Sequence, residues 1–125
     1  MERLTASHAA VLDAVSDGAA ALWELPLGSK YFGSGGRLVR EVAAVPREEA
    51  RGALRDLMAV GAVQIYEEPN DGSRQLSGDE IEAAISDDAN WRPPADSGRP
   101  VWYAVALTES GESVYRHAAQ TFGWG

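Results

Sequence analysis

Two stretches of the chain alternate apolar and polar residues at the period of a half-buried strand, and far more sequence separates them than a hairpin turn requires. The first is Ala62-Val63-Gln64-Ile65-Tyr66-Glu67 and the second is Val101-Trp102-Tyr103-Ala104-Val105-Ala106-Leu107. β-Branched and aromatic residues are frequent in both, as expected where side chains pack on a pleated surface. Pairing them leaves Pro69 to Pro100 as an excursion that must carry structure of its own. Ser77-Gly78-Asp79-Glu80 is a capping box, Leu76 and Ile81 occupy the positions of a hydrophobic staple, and Ile81, Ala84 and Ile85 form a short apolar stripe. A two-turn helix is expected there, with Trp91 folding back.

The rest of the chain reads mainly as helix. Thr5 and Ser7 are candidate N-caps for a first helix in which Ala9, Val11, Leu12 and Val15 recur at helical spacing, up to Gly18. Ala20 to Leu25 fits a short strand or a helical turn equally well. Leu27 to Gly36, with glycines at 28, 33, 35 and 36, reads as a loop. Arg37 to Val45 places apolar residues at 38, 39, 42 and 45, the stripe of a short helix that Pro46 ends. From Arg47 to Val60, Ala50, Leu54, Leu57 and Met58 define the apolar face of a longer helix, with Gly61 as its C-terminal cap. Thr108 caps a final helix from Glu109 to Phe122.

Arg37 to Gly61 followed by Ala62-Val63-Gln64-Ile65 resembles the helix-turn-helix and first wing strand of winged-helix proteins. Tyr103-Ala104-Val105-Ala106-Leu107-Thr108-Glu109-Ser110-Gly111-Glu112 is similar to the strand and last-helix opening of MarR- and PadR-like regulators. The expected fold is therefore α+β: a single winged helix-turn-helix domain over 1–125, with three helices, a two-stranded antiparallel wing bearing a helical insert at 69–100, and a C-terminal helix. The resemblance implies a DNA-binding transcriptional regulator. The departure is the wing, which in such regulators is short and basic.

Composition narrows the classes of function. At 45% hydrophobic and 24% charged residues the chain is globular rather than disordered. It has no cysteine, which removes disulfide frameworks, thiolate metal sites and cysteine nucleophiles together. Met1 to His8 has no basic run leading into an apolar one, and no apolar run approaches spanning length, so a cytoplasmic protein without membrane attachment is expected. The net charge of −8 is unevenly spread: residues 67–98 hold nine acids and two arginines, whereas 29–66 carry a net +2.

Arg47, Arg51 and Arg55 fall at i, i+4, i+8 on the longer helix and would line one exposed face that a major groove could accept. Arg37 and Arg40 on the preceding segment are candidates for phosphate contact, and a solvated face with local ion pairs is the competing reading of all five. Against DNA stands the acidic insert, whose field acts within about 8–10 Å at physiological salt. The alternative is an adaptor, inhibitor or antitoxin-like module that binds a protein through the insert and the aromatic tail. Trp91, Asp87, Asp88, Phe122 and Trp124 are its candidate contacts, Phe122 and Trp102 also suiting the core, and a homodimer through the first and last helices is a further expectation. No enzyme is expected, with no catalytic, metal or cofactor site. His8 and His117 stand isolated, Asp87-Asp88 lacks the spacing of a calcium loop, and in Gly28 to Gly35 the second glycine is followed by Ser34-Gly35 rather than by the lysine and hydroxyl residue of a phosphate-binding loop.

Overall fold

The two alternating stretches do pair, and their pairing is the spine of the molecule. The computed structural model describes residues 3–68, 74–93 and 102–124, so parts of the insert, 69–73 and 94–101, lie outside the described residues. Its elements in chain order are α1 (Ala6–Ala14), β1 (Ala20–Ala21), β2 (Ser29–Phe32), β3 (Leu38–Val42), α2 (Arg47–Ala59), β4 (Val63–Glu68), β5 (Arg74–Gln75), α3 (Gly78–Ser86), β6 (Trp102–Leu107) and α4 (Glu109–Phe122). Single 3-10 turns cover Leu22–Glu24, Ser34–Gly36 and Asp88–Trp91. The architecture is α+β, and no helix among the described residues is long and apolar enough to cross a membrane.

β4 and β6 run antiparallel from Val63↔Leu107 to Glu68↔Trp102, so Val63, Ile65, Val105 and Leu107 share one face. Ile65 and Val105 are fully buried there. Two-residue strands flank the pair and give the order β1-β6-β4-β5. Ala20 to Leu25, which fits strand or turn equally in the sequence, is both in succession: β1 and then the Leu22–Glu24 turn.

α2 begins after Pro46 and buries Ala50, Ala53, Leu54 and Leu57, its leucines each worth roughly 1.5–3 kcal/mol of apolar transfer. It ends in a Schellman motif: the Ala62 N–H donates to Leu57 O (2.9 Å) and that of Gly61 to Met58 O (3.0 Å), with Gly61 at φ +75°. α4 starts against that turn. Thr108 N–H donates to Ala62 O at 2.9 Å, and a Cβ on Gly111 would sit 1.9 Å from the same oxygen, so only glycine lets the helix approach.

The segment before α2 differs from the sequence expectation. Arg37 to Val45 is not a helix: Leu38–Val42 is β3, and it pairs with Ser29–Phe32 inside the stretch that reads as loop. A β2–β3 hairpin thus stands where a helix-turn-helix would place its first helix, and the described helices number four in a different order from the one expected. The hairpin forms its own two-stranded sheet and packs on α1.

α1 is buried nearly all round, from His8 through Asp13, because α2, α4 and the hairpin each cover a side of it. Of its two candidate caps Thr5 serves: His8 N–H donates to Thr5 Oγ1 (3.4 Å), and the His8 ring closes the box by accepting the Thr5 N–H at Nδ1 (3.0 Å). With Nδ1 accepting, the proton lies on Nε2, which donates to Asp56 of α2 at 2.9 Å.

Candidate binding surfaces

The capping box does set the insert helix. Ser77 caps α3, accepting from Glu80 N–H at 3.4 Å, while Glu80 accepts the Ser77 N–H at 3.1 Å. Arg74 of β5 bonds both Glu67 (2.9 Å) and Glu80 (2.7 Å), and its hydrogen bond is the first reason the Glu80 carboxyl is lowered from 4.5 to about 2, with Ser77 adding to the effect. Leu76, Ala84, Ile85 and Trp91 all enter the main core. Trp91 is 2% exposed, and its Nε1–H donates to Ile85 O at 2.8 Å.

This docking places the insert against α2, on the face that carries the arginines. Arg51 is not outward: it is 7% exposed, bonds Asp88 at 2.6 Å and Glu48 at 3.3 Å, and its guanidinium lies 5.4 Å from the Trp91 ring centre. Arg55, still exposed, bonds Glu82 of α3 at 2.7 Å and Ser86 at 3.3 Å. Those bonds hold the carboxyls of Asp88 and Glu82 below their usual range, each chiefly through its hydrogen bond to the arginine. Only Arg47 of the row remains exposed without such a bridge to the insert among the described residues. Two of the insert's acids, Glu82 and Asp88, thus serve as counter-charges to the arginines of α2.

Arg40, the candidate on the preceding segment, is turned inward as well. On the inner face of the hairpin it bonds Asp13 of α1, which also accepts from Ser29 Oγ (2.6 Å) and Tyr31 Oη (3.1 Å). The Asp13 side chain is 3% exposed, so a buried carboxylate with three donors pins both strands to α1. The Arg40 guanidinium also lies 4.3 Å from the Tyr31 ring centre and 4.8 Å from that of Trp124, and bonds Tyr115 Oη at 3.4 Å. Burial alone would lower its pKa, but the bonds to Tyr115 and Asp13 outweigh that and raise it. Sequence reasoning missed Asp13. The signal for it is a lone acid in Ala9-Ala10-Val11-Leu12-Asp13-Ala14-Val15, since a charge inside an all-apolar helix needs a cation brought to it.

The aromatic tail folds onto its own domain. Trp124 stacks with Phe122 at 5.7 Å and meets Tyr115 at 5.6 Å, so the two tail candidates are half-buried. Of the other proposed contacts, Trp91 is core, Asp88 is bound to Arg51, and Asp87 caps the Asp88–Trp91 turn by accepting the Ala89 N–H at 3.0 Å. The Trp102 side chain lies outside the described residues.

Among the described residues the large exposed apolar side chains gather on and beside the hairpin, with Val60 at the end of α2 standing apart. The inner face takes Ser29, Tyr31, Arg40 and Val42; the outer face takes the cross-strand pairs Lys30↔Glu41 and Phe32↔Leu38. Phe32 is 62%, Val39 64% and Leu38 46% exposed, and Leu27 at the base of the hairpin is 58% exposed. A groove of about 350 Å³ lies at that base, walled by Leu27, Glu41, Ala43 and Ala44. Gly28 forms its floor: at φ +71° its Cα backs so closely on β3 that a Cβ would meet Val42 O at 2.4 Å. Gly28 to Gly35 is thus a strand start and a turn. Among the described residues no three His, Asp or Glu side chains converge to hold a metal ion. No protein-family model, curated protein or solved structure matches the chain.

Proposed function

We propose that the chain is a non-catalytic protein-binding domain whose contact element is the outer face of the β2–β3 hairpin. The observation that carries this is the division of the hairpin: Ser29, Tyr31 and Arg40 converge inward on Asp13, while Phe32, Leu38 and Val39 stand exposed on the other side beside the Lys30–Glu41 pair. A cluster of large apolar side chains held on a rigid ribbon costs free energy in water and is characteristic of interaction sites.

Supporting this reading over the DNA regulator that the resemblance implies is the state of Arg51. Exposing it requires lifting off the element that buries Trp91, Ile85 and Ala84, at a cost of several kcal/mol that a few phosphate contacts do not repay. The exposed Glu48 and Glu49 in the first turn of α2 add repulsion where a reading helix would enter the groove. The order β1-β6-β4 with α2 leading into β4 supports a winged-helix ancestry, in which the hairpin replaces one helix of the DNA-reading pair and the filled wing has become part of the core.

The test is a photo-crosslinking amino acid placed at Val39 and, as control, at Glu109, in the cell of origin. Protein adducts from position 39 alone support the reading. A sequence-dependent gel shift at low salt that Arg47→Glu abolishes, with no adduct at 39, would return the domain to DNA.

A further inference from the structure

The outer face of the hairpin is complementary to itself across its own long axis. On the β2 side stand Lys30 and then, toward the tip, Phe32; on the β3 side stand Glu41 and then Leu38, with the exposed Val39 at the shift of register beside it. Two positions are thereby matched across the hairpin: a cation against an anion, and phenylalanine against leucine.

We infer that the partner at this face is a second copy of the chain, stacked face to face about a two-fold axis running along the hairpin. This inference rests on the protein-binding reading and names its partner. Rotation about that axis exchanges the strands, so every residue of β2 lies over the partner's β3. Lys30 then faces the partner's Glu41, and Phe32 covers the partner's Leu38. The other in-plane two-fold, across the strands, lays each strand over its own copy and at no height brings Lys30 over the partner's Glu41, so charge pairing selects the first arrangement. Within one copy Lys30 and Glu41 are 3.5 Å apart and both more than half exposed, so they are available to be shared in a four-charge cluster.

One hairpin face is smaller than the roughly 800 Å² per partner of a standard interface, so the dimer belongs to the weak class, with a Kd on the order of 10–100 µM. Its assembly does not disturb the Asp13 cluster, which lies on the opposite face.

Sedimentation equilibrium of the purified chain from about 5 µM to about 1 mM tests it. The wild type is expected to pass from monomer to dimer over that range, and Phe32→Ser to weaken association at least tenfold. Lys30→Glu alone and Glu41→Lys alone each place like charges across the interface and are expected to remain monomeric, whereas an equimolar mixture of the two variants restores opposite charges at both contacts and dimerises. A wild type that stays monomeric at 1 mM, a dimer indifferent to these substitutions, or a mixture no more associated than its components would each overturn the inference. A strictly monomeric chain that still crosslinks a different protein at Val39 ends the self-association and leaves the protein-binding reading standing; no adduct of any kind ends both.

Discussion

Replacing Trp91 by alanine measures whether the insert is a structural part of the domain or a cover that can lift. The indole is 2% exposed, belongs to the same core cluster as Leu54 and Ile65, and donates to Ile85 O. Deleting a buried aromatic of this size costs about 3–5 kcal/mol, from lost transfer free energy and the cavity left behind. The alanine variant also leaves the Ile85 carbonyl without its donor and the Arg51 guanidinium without a ring beside it, which puts this site toward the upper end. Total stabilities are about 5–15 kcal/mol, so the change removes a large fraction. With a urea dependence of roughly 1.5–2 kcal/mol per molar for a chain of this length, the midpoint should fall by about 2–3 M. Circular dichroism at 222 nm is the assay, because the remaining tryptophans complicate fluorescence. Trp91→Phe, which keeps most of the volume and loses the donor, should cost about 1–2 kcal/mol. If Trp91→Ala moves the midpoint by less than about 0.5 M, the insert is not held as described, Arg51 can be uncovered at little cost, and the argument against α2 as a reading helix collapses.

Asp13→Ala should destabilise by about 3–5 kcal/mol by stranding Arg40 in the interior, and Asp13→Ala combined with Arg40→Met should recover part of that loss in the same urea titration. Gly111→Ala should prevent accumulation of folded protein or lower the thermal midpoint by more than about 10 °C, since its Cβ would overlap Ala62 O; a folded, wild-type-like melt would contradict the junction. The folded pKa values of Asp88, Glu82 and Glu80 lie below their ordinary values, so these carboxylates contribute stability that is fully present above about pH 4.5 and lost as pH falls toward the folded values, about 2 for Glu80. Urea midpoints measured from pH 6 to pH 2.5 should decline through that window, and less steeply in Arg74→Gln.

The insert helix and the hairpin show where local chemistry is readable and where it misleads. Ser77 and Glu80 declare a helix start through contacts three residues apart, so α3 is visible in the sequence, as is α4 from Thr108. Where α3 docks depends on Glu82 and Asp88 meeting Arg55 and Arg51 from far along the chain, and no local pattern encodes that. The hairpin misleads because its polarity is inverted. Leu38, Val39, Val42 and Val45 imitate a helical stripe, yet the side chains turned inward from Ser29, Tyr31 and Arg40 are polar and converge on one buried acid. Hydrophobic periodicity assumes that apolar means inside, and here the assumption fails on one element. The arginine row followed from correct helical spacing, but spacing gives a face and not what covers it.

At its β1 border the four-stranded sheet ends in a strand of only two residues. A foreign backbone adding to that border would find at most a couple of hydrogen-bonding positions before the template ran out. Fibril-like stacking through that border is thereby discouraged, even though the sheet's inner strands are rich in the residues that favour cross-β assembly.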